Sequence, residues 1–121
     1  MSTPCIIAVK TEKGYLASYC HFDGYHDYMW PMLNENYNSE ELAYALVAQG
    51  DASSIDKKLW PDSDEHSFSN PEPEVCVFYH RDRGESWDFV RPEMYPSESR
   101  LLGLRPYVYA FQNGHWEELC E

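Results

Sequence analysis

Cys5-Ile6-Ile7-Ala8-Val9-Lys10-Thr11-Glu12-Lys13-Gly14-Tyr15-Leu16-Ala17-Ser18-Tyr19-Cys20 sets the architecture of this chain. Cys5 to Val9 is an apolar, β-rich run. Thr11-Glu12-Lys13-Gly14 supplies turn residues, and Tyr15 to Cys20 can pair back, so the stretch reads as a β-hairpin. Side chains alternate across a strand, so Leu16, Ser18 and Cys20 share one face while Tyr15, Ala17 and Tyr19 share the other. Neither face is cleanly polar, which predicts cover on both sides.

A second hairpin closes the chain. Tyr107-Val108-Tyr109-Ala110-Phe111 is β-rich, Gln112-Asn113-Gly114 carries the Asn-Gly turn signal, and His115-Trp116-Glu117-Glu118-Leu119 returns. Between the hairpins the period changes. Tyr25, Tyr28, Met29, Met32, Leu33 and Tyr37 follow helical spacing, with Asp23 or Asp27 as the N-cap. Pro31 fits such a helix near its first turn and otherwise kinks it. Asn38-Ser39-Glu40-Glu41 has the form of a capping box with Asn38 as cap, and Leu42, Ala45, Leu46 and Gln49 trace a second helix that stops at Gly50. The order of strands, helices and strands predicts an α+β fold. Its sheet is expected to be mostly antiparallel, built from the two terminal hairpins with two helices inserted between them.

The rest is less regular. Asp51 to Asp56 is a turn that leads towards a short helical segment ending at Trp60. Pro61 to Glu74 holds three prolines, several serines and Asp62, Asp64, Glu65 and Glu72, and reads as an exposed acidic loop at about 61–74. Val75-Cys76-Val77-Phe78-Tyr79-His80 is a predicted strand, with Trp87-Asp88-Phe89-Val90 as its return and 93–103 irregular. There is no internal repeat. At 121 residues the chain is expected to form one domain, 1–121.

Composition narrows the function classes. The chain is 43% hydrophobic and 16% aromatic, enough for a packed core. Lys plus Arg number 9 against 21 Asp plus Glu, a net charge of -12, which argues against direct nucleic-acid or anionic-membrane binding. No apolar run reaches a membrane span. Met1-Ser2-Thr3-Pro4 lacks the features of a secretory signal, so the expected location is the cytoplasm. Cys5, Cys20, Cys76 and Cys120 form no C-x-x-C pair and are expected as reduced thiols, with Cys5 and Cys76 buried.

One segment resembles a known group. Cys20-His21-Phe22-Asp23-Gly24-Tyr25, a helix ending in Asn36-Tyr37, and Gly50-Asp51-Ala52-Ser53-Ser54-Ile55 are similar to a set of small uncharacterised phage and prophage proteins. That set opens on Cys-His-Trp-Asp-Gly-Tyr, continues in a helix ending in His-Tyr, and has a later Gly-Asp-x-Ser-Ser. Here Phe22 stands for the Trp and Asn36 for the His, and His26 and Pro31 also depart from the pattern. The resemblance implies a phage-type or mobile-element accessory protein in a host cytoplasm, and it carries no catalytic site to transfer.

The residues themselves point first to protein binding. Acidic Glu40, Glu41, Asp51, Asp56, Asp62, Asp64 and Glu65 would attract a basic partner, and Tyr25, Tyr28 and Trp30 would supply short-range contacts. Tyr107, Tyr109 and Trp116 are further aromatic candidates. The expected role is a non-enzymatic binding protein that engages, and blocks, a basic host nucleic-acid-handling or defence protein. No catalytic residue and no cofactor is assigned. Two alternatives stand beside this. The first is a small metal-dependent enzyme centred on the Cys20–His26 segment, where Cys20, His21, Asp23 and His26 crowd together and include zinc-ligand types, although their spacing matches no closed zinc pattern. A virion or assembly component could pair through Val75–His80 as an edge strand.

Overall fold

The N-terminal hairpin forms as β1 (Cys5–Thr11) and β2 (Gly14–Cys20), closed by the two-residue loop Glu12-Lys13. At the other end β6 (Tyr107–Gln112) and β7 (His115–Leu119) are joined by Asn113-Gly114, both at positive φ, the conformation this turn type demands. The computed structural model describes residues 2–120. It places both hairpins in one seven-stranded sheet of order β4-β3-β2-β1-β6-β7, with β5 (Glu93–Tyr95) added to β2. β3 (Ala52–Ser54) and β4 (Val77–Phe78) are short.

The sheet is mixed, which corrects the mostly antiparallel expectation. β1 runs parallel to β6, and β2 parallel to β3. The long excursion after β2 returns the chain beside β1 in the same direction, so the two hairpins meet through a parallel seam. Among the described residues five helices replace the expected two: α1 (His26–Asn36), α2 (Glu40–Val47), α3 (Tyr79–Arg83), α4 (Trp87–Val90) and α5 (Glu98–Leu102).

The core lies on both faces of the sheet. Cys5, Ile7, Val9, Tyr109, Phe111 and Trp116 pack against Met29 and Leu33 of α1 and Leu46 and Val47 of α2. On the opposite face Ile6, Ala8, Tyr15, Ala17, Val108 and Ala110 are closed over by Leu101 of α5. Trp116 and Tyr109 are therefore buried, which removes them as contact residues. The indole N–H of Trp116 donates to the Tyr37 carbonyl at 2.9 Å, and the Tyr109 hydroxyl donates to the Gly24 carbonyl at 2.8 Å. Tyr107 is half-buried.

Several local readings shift. The N-cap of α1 is Tyr25, with no side-chain bond, and not Asp23 or Asp27. Pro31 sits inside α1, where it deprives the Asp27 carbonyl of its amide partner; both residues are exposed, so water can serve that carbonyl. α2 is capped by Ser39, one position after the predicted Asn38, and its hydroxyl accepts the Leu42 N–H at 3.1 Å. The segment after Asp51 starts as β3, not as a helix, and Lys58 bridges to Val75. The predicted strand 75–80 keeps only Val77–Phe78 as strand. The Asp82 carboxylate accepts the Phe78 N–H at 2.8 Å and turns the chain into α3, which stops at Gly84 in the left-handed region. Residues 87–90 are helical, and 93–103 is ordered as β5 and α5.

The acidic loop is largely exposed but fastened. The Glu72 carboxylate accepts the amides of Asp62 and Ser63, and the Glu72 N–H donates to His66 Nδ1 at 2.9 Å. His66 lies 3.3 Å from the Asp82 carboxylate. Burial alone would raise the Asp82 carboxyl, but hydrogen bonds from Arg81 and the Phe78 amide hold it below its ordinary value. Arg81 also donates to the carbonyls of Leu59 and Cys76, at 2.6 and 2.8 Å.

Two glycines separate backbone strain from packing. Gly50 has φ +86, and a Cβ there would lie 2.5 Å from the Val90 carbonyl oxygen; Gly84 has φ +80 with nothing within 4 Å. Gly84→Ala is expected to destabilise by about 1 kcal/mol, the left-handed penalty alone, and Gly50→Ala by about 3 kcal/mol because the α4 backbone must also move. Denaturant midpoints of the two variants check this.

Candidate functional site

The outer edge of β2 is incompletely paired. β5 takes Tyr15–Ala17, and β3 reaches only Cys20. Between them the Tyr19 N–H donates to the Asp51 carboxylate at 3.0 Å. Asp51 also fixes its surroundings through its backbone: its N–H donates to the Val90 carbonyl at 2.8 Å, and its carbonyl accepts from Tyr79 at 3.2 Å. This arrangement leaves a crevice of about 330 Å³ lined by Tyr19, Asp51, Phe89, Arg91, Glu93 and Arg105 among others. The Arg105 guanidinium lies over the Tyr19 ring, 4.9 Å from its centroid, and Arg91 lies 3.8 Å from Glu93.

Phe89 lines this crevice without being covered, and Trp87 is exposed nearby on α4. Phe89 is 84% exposed and Trp87 39%, the latter edge-on to His80. On the other side of β5, Met94 shares a hollow of about 490 Å³ with Tyr44, Leu16 and Glu40. Tyr44 is 50% exposed and Met94 44%. Along this edge of the sheet the two hollows lie on opposite faces of β5, since Glu93 and Tyr95 line the crevice and Met94 the other hollow.

Burial pushes the Asp51 carboxyl up to about 6, with Glu93 and Glu85 adding and the Tyr19 amide and Arg105 opposing. In the crevice this carboxylate and Glu93 can receive cations, and Arg91 and Arg105 can receive anions. Ser18 also lines it, but its hydroxyl has no hydrogen-bond partner, so no base activates that oxygen.

The predicted contact residues are dispersed. Glu40 and Glu41 are exposed at the start of α2, and Asp51 lies beyond its other end. Asp62, Asp64 and Glu65 are exposed on the acidic loop, Asp62 paired with Lys58 at 2.8 Å. Asp56 is half-buried; its carboxylate accepts the Lys57 amide and its carbonyl the Tyr37 hydroxyl. On α1 and its cap, Tyr25 is exposed, Tyr28 is half-buried with its hydroxyl on the Ile55 carbonyl at 2.7 Å, and Trp30 is half-buried and stacked on His26. Only Glu40 and Asp51 join the edge described above. Sequence reasoning misses Trp87, Phe89, Met94, Tyr44, Arg91 and Arg105, because the Trp-Asp-Phe triplet alternates like a strand while its backbone is helical.

Cys20, His21, Asp23 and His26 do not converge. Cys20 is buried in the core, His21 accepts or donates at the Tyr19 hydroxyl, His26 pairs with Glu118, and Asp23 is exposed at φ 59. Among the described residues no group of three His, Cys, Asp or Glu side chains is placed to hold a metal. Cys5, Cys20 and Cys76 are buried free thiols and Cys120 is exposed. Burial pushes Cys76 up to about 11. No helix among the described residues is long and apolar enough to cross a membrane.

The raised Asp51 carboxyl has a sign. Its folded value of about 6 exceeds the ordinary 3.8, so its contribution to stability is full below about pH 4 and is lost as pH rises through about 6. Asp51→Asn keeps an oxygen for the Tyr19 N–H and removes the titration. Relative to the parent, the variant is expected to gain stability from acid to neutral pH, of order 1 kcal/mol after solvent screening of this partly exposed group. Urea midpoints measured across that pH range check it, and parallel curves would refute it.

No family model, curated protein or solved structure matches this chain, so its site is read from its own geometry.

Proposed function

We propose that this is a non-enzymatic, acidic binding protein of phage or mobile-element type. It acts in a host cytoplasm, where it engages a basic nucleic-acid-handling or defence protein and blocks it. The single observation that carries the binding role is Phe89, 84% exposed where it lines the crevice. An exposed aromatic is the kind of residue that anchors an interface centre, and the charged groups beside it suit a polar rim. The net charge of -12 supports a basic partner, because it steers encounter with positive surfaces over a Debye length. The phage-type assignment and the class of host target are supported by the resemblance of residues 20–55.

The two contributions separate kinetically. Once a partner has been captured from host lysate at low ionic strength and purified, association is expected to slow steeply with salt. Neutralising Glu40, Glu41, Asp62, Asp64 and Glu65 to their amides should reduce the association rate about ten-fold and leave dissociation nearly unchanged. Phe89→Ala should do the reverse, speeding dissociation about 30-fold, which corresponds to about 2 kcal/mol for one buried aromatic anchor. Binding indifferent to salt and to both variants would overturn the proposal.

A further inference from the structure

β7 is the outermost strand on its side of the sheet, pairing only with β6. Its five residues offer about 17 Å of edge. The tight Asn113-Gly114 turn makes Gln112 and His115 a hydrogen-bonded pair, so His115, Glu117 and Leu119 point their backbone groups at β6. Trp116 and Glu118 therefore point theirs away. Among the described residues no loop or terminal segment supplies backbone partners to those outward N–H and C=O groups. A sheet edge of this kind accepts an extended chain as an additional strand.

Charge decides which chain. β7 contains no Lys or Arg, and Glu117 and Glu118 stand on opposite faces, half-buried, with His115 and His26 as their ion-pair neighbours. A second copy adding by two-fold symmetry centred on Glu117 or Glu118 would set that carboxylate against its own equivalent, and like charges across a strand pair destabilise it. A segment with cationic side chains at two successive positions would instead meet one carboxylate on each face. We infer that the outer edge of β7 receives an extended segment of the partner as an added strand, with adjacent Lys or Arg side chains against Glu117 and Glu118. This rests on the basic-partner reading and assigns the form in which the basic segment is presented.

The test uses the full chain and a synthetic peptide, acetyl-Val-Thr-Lys-Arg-Thr-Val-amide, beside a twin of equal charge with alternate backbone amides N-methylated. The parent peptide is expected to slow hydrogen exchange at the Trp116 and Glu118 amides about ten-fold, leaving β4 unchanged. The Glu117→Gln/Glu118→Gln double variant, its fold checked by the amide spectrum, should weaken binding about ten-fold. If the twin binds within two-fold of the parent, strand addition is overturned while attraction to basic chains stands. If neither peptide slows those amides, strand addition is again overturned, and the Phe89 edge is judged by its own kinetics. A peptide-free dimer that protects the same amides would assign the edge to a second copy and overturn the inference.

Discussion

β1 carries no polar side chain from Cys5 to Val9, so neither of its faces can be left to water. That one constraint organises the molecule. A hairpin alone can cover an edge of such a strand but not its faces, so separate segments must pack on each. α1 and α2 cover one face with Met29, Leu33, Leu46 and Val47. The later part of the chain covers the other through Leu101, and β6 closes the remaining edge. The parallel β1–β6 seam follows: the chain must leave after β2, cover a face, and re-enter beside the strand it has just enclosed.

The same economy explains Asp51. With β5 and β3 each pairing only part of β2, the Tyr19 amide would lack an acceptor, and an unpaired buried amide costs about 1–3 kcal/mol. The Asp51 carboxylate takes the place of the missing strand. That role places an acceptor oxygen in a partly desolvated hollow, and burial of the carboxyl that supplies it raises its proton affinity. The functional candidate is thus a by-product of how the sheet edge ends, and the exposed Phe89 lines the gap so formed.

Legibility in the sequence follows the range of the interaction that fixes each element. Asn113-Gly114, Thr11–Gly14 and the helix starting near Ser39 are set within a few residues, and the sequence shows them. The two-sided burial of the first hairpin was also readable, because Tyr15, Ala17 and Tyr19 left no polar face. Val75–Arg83 was not, since its β-rich composition is overruled by Asp82 reaching back to the Phe78 amide and by Arg81 tying distant carbonyls. The parallel seam depends on contacts between residues about a hundred positions apart, which no local period encodes. At the site, Asp51 was chosen for its charge, whereas its position comes from a hydrogen bond to Tyr19; Phe89 and Trp87 were hidden by a strand-like alternation that the backbone does not adopt.

The negative charge and the uncovered aromatics make physical sense only together. Uncovered side chains such as Phe89, Trp87, Met94 and Tyr44 would favour self-association in a neutral protein, since burying each contributes about 1.5–3 kcal/mol. Two copies each carrying -12 must approach against repulsion before those side chains meet. The same field attracts a cationic surface. One potential therefore discriminates in both directions: it opposes the homodimer that the uncovered apolar side chains would favour, and it attracts the class of partner whose charges the acidic loop and the β7 carboxylates complement. Removing carboxylates should then do more than slow encounter with a basic partner; it should also lift the barrier to self-association through Phe89.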